Sequence, residues 1–268
     1  MRYSGIQPQY FPRLHYIARI LNADIYMIRD DVQHVRKHKY PDGHTDKSYQ
    51  VHTPIKQSFG KNLLSVPVKN KFALIVDTQI NYEQNWVADH LKALQVVYGR
   101  SPNFKKIFDE ISSLLSTRYK SIAQLNIATT LWAILRLLGE KDIQVNNLTI
   151  DYVNEKLKNR SLFRLKKILR GSQTQTFKSS QDLDPNEKII ALCKEVSATE
   201  DYCGGTGATT YMDEKLYKKN GIKITVQDWK CKEYTQLFTK QQGFIPNLSI
   251  IDLLMNVPTE EAVKVIKG

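Results

Sequence analysis

The chain has little cysteine and no long apolar run, and each absence excludes a class of protein. Three cysteines, Cys193, Cys203 and Cys231, occur among 268 residues. Their odd number and wide spacing support neither a disulfide framework nor a CxxC metal site. No stretch approaches the ~20 apolar residues of a membrane-spanning helix, and the first residues lack the apolar core of a secretory signal. We therefore expect a reduced, cytoplasmic protein.

Acidic residues are also in the minority. The 27 acidic residues face 39 basic ones, which gives a formal net charge of +12. The hydrophobic fraction of 41% and the charged fraction of 25% are those of an ordinary globular protein. An excess of positive charge favours an anionic partner: a small-molecule or glycan-precursor substrate, an anionic membrane surface or, less favoured, nucleic acid. A merely solvated basic surface is the alternative.

The first thirty residues predict the opening of a parallel α/β unit. Residues 3–7 predict a brief strand that ends in a turn at Pro8, apolar residues recur at helical spacing over 14–21, and residues 25–28 are continuously apolar. Ligands bind beyond the carboxyl ends of the strands in such sheets. The polar groups after the two strands are therefore candidates to bind a substrate, with turn residues as the alternative for the two aspartates: Gln7, Tyr10, Asp30, Asp31 and Gln33.

Residues 33–56 are rich in histidine and lysine. His34 and His38 have a spacing that could place two imidazoles on one helix face, with His44 as a conceivable third ligand. No glutamate follows the first histidine, so the metalloprotease pattern is absent and a metal site is the weaker reading. A polar loop of this kind beside two carboxylates suits an anionic substrate and proton transfer.

The middle of the chain changes to helical periodicity. Apolar residues predict three helices over 85–140, which we expect to supply core and no chemistry. Residues 156–170 then carry seven basic side chains with no acid among them. This pattern predicts a basic amphipathic segment. We expect this segment to be a solvated or insertion-type surface. Binding of RNA or of an anionic membrane is the alternative.

Two features of the last third of the chain concern binding and burial. A glycine-rich loop at 204–207 follows a predicted strand at 199–203, and backbone amides in such loops can hold a carboxylate or phosphate. A plain turn is the alternative. Asp252 lies in an apolar stretch, so it needs a partner if it is buried. We expect it to be a structural tie, with a positioned catalytic group as the alternative.

Taken together, these pieces resemble the WbqC-like family. The resemblance covers nearly the whole chain in the family's order and leaves mainly residues 156–170 outside. The family usually has glycine where His15 stands. The matching stretches are IQPQYFPRLHY at 6–16, DIYMIRDDVQ at 24–33, LLSVPVK at 63–69, WxxxHLKAL at 86–94, YCGGTGATTY at 202–211 and FIPNLSIIDLLMN at 244–256.

The resemblance implies a fold and a site. Together with the patterns above, it predicts one α/β domain over residues 1–268, with a mixed, mainly parallel sheet flanked by helices. A helical region at about 85–170 is inserted between amino- and carboxyl-terminal α/β parts. Similar proteins are encoded among surface-polysaccharide genes such as those for O-antigen, and glycine or aminoacyl transfer onto an amino sugar has been proposed for the family. Carried over by position, the site comprises Gln7, Tyr10, Asp30, Asp31, Gln33, Gly204, Gly205, Gly207, Tyr211, Gln236 and Asn247.

The leading hypothesis is therefore an acyl- or aminoacyltransferase acting on an amino sugar or glycan precursor. Asp31, His15 or His52 would be the general base. Lys37 and Lys39 would hold a phosphate, and the amides of the 204–207 loop would hold an oxyanion or carboxylate. The sequence identifies no cofactor.

Two other hypotheses remain open. The stretch QPxYFPxxHY after the first strand resembles the phosphate-binding turn of HIGH-type nucleotidyltransferases, with His15 and Tyr16 in place of the paired motif and no KMSKS-like partner. That reading predicts a nucleotide substrate. The third hypothesis is a non-enzymatic protein that binds RNA or an anionic membrane through residues 156–170, in which case neutralising Lys166, Lys167 and Arg170 should abolish binding.

Overall fold

The computed structural model describes residues 1–39, 43, 45–69, 72–179, 183–205, 208 and 212–268, without the side chain of Lys39. The strands are β1 (Arg2–Ile6), β2 (Ile25–Ile28), β3 (Lys37–Lys39), β4 (Thr45–Lys47), β5 (His52–Gln57), β6 (Gly60–Ser65), β7 (Lys167–Arg170), β8 (Glu200–Cys203) and β9 (Lys223–Val226). The helices are α1 (Leu14–Leu21), α2 (Trp86–Tyr98), α3 (Phe104–Ser116), α4 (Ile122–Leu137), α5 (Ile150–Leu157), α6 (Gln175–Ser179), α7 (Pro185–Glu195), α8 (Glu214–Lys219), α9 (Thr239–Gln242), α10 (Ile250–Asn256) and α11 (Thr259–Lys267).

The main sheet has five strands in the order β7-β2-β1-β8-β9, and every neighbouring pair is parallel. The predicted α/β class is thus confirmed. Antiparallel pairing occurs in two separate hairpins, β3 with β4 and β5 with β6. The chain adds β2 and then β7 on one side of β1. It then crosses to the other side of β1, where β8 and β9 are added. The strand order therefore reverses between β1 and β8.

Helices cover the two faces of this sheet and bury different side chains. Alternation along a strand sends Ile28 to one face and Met27 to the other. The first face joins α1, the helices α2 to α4 and the carboxyl-terminal helices in one large apolar cluster. The second face packs against α7 and α8 in a smaller cluster that includes Tyr3, Cys193 and Tyr217. No helix in the described part of the chain is long and apolar enough to cross a membrane.

The basic stretch 156–170 differs from its sequence-based prediction. It is the end of α5, an irregular connection and then β7, which forms an edge of the main sheet. Five of its seven basic side chains form ion pairs within the chain; these are Lys156, Lys158, Arg160, Arg164 and Arg170. A four-residue strand flanked by charges gives too short an apolar pattern to be recognised, which is why the segment was predicted to be an amphipathic surface.

Candidate functional site

The carboxyl edge of the sheet collects polar groups at the point where the strand order reverses. Gln7 follows β1 and Gly204 follows β8, and these two strands are neighbours. Open α/β sheets bind ligands in the crevice at such a switch point. The first turn of α1 also lies at this edge because α1 begins after the loop that leaves β1. The candidate site is therefore the crevice between β1, β8 and α1.

Asp30 lies at this edge, and its carboxylate is fully engaged. Its Oδ2 accepts hydrogen bonds from Nε and Nη2 of Arg170 at 2.9 and 2.6 Å and from Oγ of Ser172 at 2.9 Å. Its Oδ1 accepts the backbone N–H of Ser172 at 2.9 Å. The side chain is fully buried. This aspartate therefore ties the end of β2 to the end of β7.

Asp31 is buried on the face of the sheet that α7 covers, where its carboxylate lies beside two basic side chains. Nε and Nη2 of Arg29 donate to its two oxygens at 2.8 and 3.1 Å, and Nζ of Lys188 lies 3.4 Å from Oδ2. A Cβ at Gly171 would collide with the Asp31 carboxylate. The carboxylate thus fills a closely packed space between β2, β7 and α7, where its contacts are those of a structural ion pair.

His15, in the first turn of α1, has a defined tautomer. Oδ1 of Asn247 accepts the backbone N–H of His15 at 3.0 Å, which fixes this atom as the amide oxygen. Nδ1 of His15 lies 2.7 Å from the same oxygen, so Nδ1 carries the proton and Nε2 carries the lone pair. Burial lowers the pKa of His15 to about 4. The imidazole is therefore neutral at pH 7.

Asn247 is held in the conformation that this pairing needs. Its backbone has a φ of +59°, in the left-handed region that asparagine tolerates better than most residues. Its N–H donates to Sγ of Cys231 at 3.4 Å. The carbonyl of His15 in turn accepts Nε2 of Gln227, the residue after β9, at 2.8 Å. The His15 backbone and ring are thus fixed from two separate segments.

Arg19 lies one turn after His15 on the same face of α1. Its side chain is 8% exposed, and its Nε has no hydrogen-bond partner among the described residues. Its guanidinium lies over the ring of Tyr16 at 5.1 Å. A Cβ at Gly204 would collide with Nη1 of Arg19, so the turn after β8 is in direct contact with this cation. Such an arrangement can bind an anion.

Two of the predicted residues lie away from this crevice. The hydroxyl of Tyr10 is 2.9 Å from Nδ1 of His90 in the core, where burial raises the pKa of Tyr10 well above its usual value. Nδ1 of His52 is 2.5 Å from Oγ of Ser65 in the β5–β6 hairpin, and burial lowers the pKa of His52 to about 4. Both side chains form contacts inside the scaffold.

Gln236 is also outside the crevice. Its amide oxygen accepts Nζ of Lys56 at 3.0 Å and the N–H of Ile245 at 3.0 Å, and its Nε2 donates to the Ile245 carbonyl at 2.8 Å. Nearby, Asp252 accepts the hydroxyls of Tyr98 and Tyr234 at 2.8 and 2.7 Å. Asp252 therefore has the buried partners that the sequence demanded.

Gln7 lies at the crevice, where its Oε1 accepts Nε2 of Gln50 at 2.8 Å. The remaining predicted residues are dispersed. Gln33 and Lys37 are exposed on the segment that carries β3, and Gly205 is exposed after β8. The side chain of Lys39, together with His44, Gly207 and Tyr211, lies outside the described residues. The proposed His34 and His38 pair is on no helix: His34 bonds Gln50 and His38 stacks on Tyr49.

The sequence analysis did not propose Arg19 and gave Arg170 a different role. Arg19 breaks an apolar helix face four residues after a histidine, and this spacing could have identified it. Arg170 gave no such signal because its partner is 140 residues away. Among the described residues, no group of three or more histidine, cysteine or acidic side chains is arranged to hold a metal ion.

Comparisons with known proteins cover nearly the entire chain. The sequence model of the WbqC-like protein family matches residues 7–264. The curated "Uncharacterized protein Rv1507c" of Mycobacterium tuberculosis (strain ATCC 25618 / H37Rv) is 26% identical over 259 residues, which covers 95% of this chain and 93% of that protein. No solved structure matches the chain. The crevice residues described above all lie within the matched range.

Proposed function

Because the chain belongs to the WbqC-like protein family, we propose that it is a cytoplasmic acyl- or aminoacyltransferase of the glycine type. Its acceptor is an amino sugar or glycan precursor in the biosynthesis of a surface polysaccharide such as O-antigen. The observation that carries the proposal is the His15–Asn247 pair, which leaves a neutral imidazole nitrogen with its lone pair free beside an anion-binding arginine.

The chemistry requires a base at the attacking nitrogen. As the amine of the sugar attacks the activated carbonyl carbon, a C–N bond forms and the bond from that carbon to its leaving group breaks. Nε2 of His15 accepts the proton that the amine loses. Asn247 fixes the ring through Nδ1, as the orienting residue does for the histidine of other acyl-transfer enzymes.

Arg19 and the turn after β8 serve the anionic part of a substrate. A buried guanidinium forms strong, charge-assisted hydrogen bonds to phosphate or carboxylate. Its neighbour Gly204 has no side chain, which lets the backbone approach closely. Because His15 and Arg19 are one helical turn apart, a substrate held by Arg19 would have its reacting group within reach of His15.

The contacts favour His15 over the other two predicted bases. Asp31 holds Arg29 and Lys188 and is buried away from α1. His52 bonds Ser65 within a hairpin. The family pattern usually has glycine at the position of His15, so we assign this base to this chain and not to the family.

The test is an acylation assay analysed by mass spectrometry. The purified protein is incubated with UDP- and dTDP-linked amino sugars and a glycyl thioester, whose thiol is the leaving group, with and without ATP, and gain of one glycyl group is measured. We expect His15→Gln to lower the rate by ~10²-fold or more. Asn247→Ala should lower the rate by a smaller factor, because the imidazole of His15 is still present but is no longer held in its orientation.

His52→Gln and Asp31→Asn are the matched controls, and both should retain the wild-type rate if their stability is retained. Wild-type turnover in the His15→Gln protein would remove the assigned base. Loss of turnover in the Asp31→Asn protein alone would restore Asp31 as the base. If the folded protein modifies none of these amines, the transferase proposal fails.

The strand order favours one alternative, a nucleotide-dependent transferase or ligase. The order β7-β2-β1-β8-β9 places the third, second, first, fourth and fifth strands side by side, as in doubly wound folds that bind nucleotides at the β1 turn. His15 and Tyr16 follow that turn. Release of pyrophosphate from ATP that depends on a second substrate would support this alternative, and glycyl transfer without ATP would exclude it.

A further inference from the structure

A cavity of about 690 Å³ lies between α1, the segment after β9 and α11. This is the size of a typical small-molecule site. Aromatic rings beside ammonium groups suit a ligand that has both a planar ring and phosphates. The lining includes three rings and three lysines: Phe163, Tyr202, Trp229, Lys230, Lys232 and Lys267.

One of the three rings remains open to a ligand. Arg2 lies over the ring of Tyr202 at 4.6 Å, and Lys267 lies over the ring of Phe163 at 5.8 Å. The indole of Trp229 is half-buried, and no cation or ring of the described residues is stacked on it. Trp229 is therefore the ring in the wall that is available to stack on a base.

The charged groups are placed to hold the rest of a nucleotide. Lys230 and Lys232 both line the cavity, whereas Cys231 between them accepts a hydrogen bond from the N–H of Asn247. Neither lysine has an ion-pair partner among the described residues. Asp228 is also in the wall, and a carboxylate beside a base-stacking ring can accept the ribose hydroxyls.

We infer that this cavity binds a nucleoside diphosphate, with the base on Trp229, the ribose on Asp228 and the phosphates on Lys230 and Lys232. Ala18 lines the cavity and lies on the same face of α1 as His15 and Arg19, and Asn22, the residue after α1, also lines the cavity. A sugar carried on the diphosphate would therefore lie toward His15. That the nucleotide carries the acceptor sugar rests on the proposed function; binding of the nucleotide does not.

The test is a titration of tryptophan fluorescence with UDP and ADP at fixed ionic strength. Trp86 and Trp132 are 4% and 1% exposed, so Trp229 is the indole that a ligand can reach. We expect quenching in the wild type and no quenching in Trp229→Phe. Isothermal titration calorimetry should show that Lys230→Ala/Lys232→Ala weakens binding about tenfold or more, since two charge-assisted contacts are lost.

Lys218→Ala/Lys219→Ala is the matched control. It removes the same charge, but from two exposed lysines on α8 that lie outside the cavity. It should bind UDP as the wild type does, and so should His15→Gln, which loses only acylation. The inference fails if neither nucleotide binds, if the Lys230/Lys232 variant binds normally, or if pyrophosphate alone binds as tightly as UDP. Binding of dodecyl phosphate in preference to UDP would make the site one for lipid phosphates and would also overturn it.

Discussion

Arg170 donates two hydrogen bonds to the Oδ2 atom of Asp30, from Nε at 2.9 Å and from Nη2 at 2.6 Å, across 140 residues of sequence. Asp30 is fully buried, and Arg170 is the last residue of the edge strand β7. The pair closes the carboxyl edge of the sheet on the side away from the crevice. It also explains why an aspartate occurs soon after the apolar strand β2: Asp30 holds another strand in place.

Removing Arg170 should therefore destabilise the protein strongly. Arg170→Ala leaves the Asp30 carboxylate buried with only Ser172 as a donor, and we expect a loss of about 3–5 kcal/mol in the free energy of unfolding. Lys167→Ala on the same strand removes an exposed charge and should change it by less than about 0.5 kcal/mol. Equal effects of the two substitutions in urea denaturation would contradict the assigned role of Arg170.

Gly204→Ala should disturb the anion site more than the fold. The new Cβ would meet Nη1 of Arg19, so the guanidinium must move. We expect a loss of about 1–3 kcal/mol in stability. In a thermal shift assay, inorganic phosphate should stabilise the wild type and should not stabilise Gly204→Ala. Gly205→Ala is the control, since its Cβ would meet only Val226 at 3.8 Å. Retained phosphate stabilisation in Gly204→Ala would argue against the site.

Tyr98→Phe tests the tie around Asp252. The hydroxyl of Tyr98 donates to Oδ1 of this buried carboxylate at 2.8 Å, so its removal leaves one oxygen without that donor. We expect a cost of about 1–3 kcal/mol. Tyr152→Phe removes the hydroxyl of a half-buried tyrosine on α5 and should cost less than about 0.5 kcal/mol. Chemical denaturation of both variants measures the difference in the free energy of unfolding. An unchanged value in Tyr98→Phe would contradict a structural role for the Tyr98–Asp252 hydrogen bond.

Acid should destabilise the protein through its histidines. Burial lowers the pKa to about 4 for four of them: His15, His38, His52 and His90. Histidines of the unfolded chain have an ordinary pKa of about 6.5. Between about pH 4 and 6.5 the unfolded chain therefore binds more protons than the folded protein. Stability contributed by the neutral rings is therefore present above about pH 6.5 and lost as the pH falls toward about 4.

Three carboxyls act in the opposite direction. Burial raises the pKa of Asp201 to about 6, although Tyr217 donates to it at 3.3 Å, and burial also raises the pKa values of Asp252 and Glu110. Stability contributed by these protonated carboxyls decreases as the pH rises above about 4, but the histidines outnumber them. The melting temperature should thus fall between about pH 6.5 and 4 at constant ionic strength. His52→Gln should make that slope shallower, and a flat profile in the wild type would contradict the burial of neutral rings.

The crevice shows what could be predicted for the site. The structure places Gln7, Asp30 and Asp31 after strands of the parallel sheet, which local apolar runs predict, whereas their binding of a substrate stays a prediction. The sequence did not show that Asp30 and Asp31 hold arginines. It proposed both His15 and Asn247 but gave them separate roles, and the structure makes Asn247 the residue that orients His15.

The sequence by itself determined the α/β class, the helix after the first strand and the polar carboxyl edge, because these follow from periodicities and turns within about twenty residues. The tertiary structure alone decided that β7 joins the sheet, which tautomer His15 adopts and that Arg19 meets the turn at Gly204. Each of these depends on a contact between residues more than a hundred positions apart. Such a contact leaves no periodic signal in either segment, since it is fixed only when the packed core brings the two segments together.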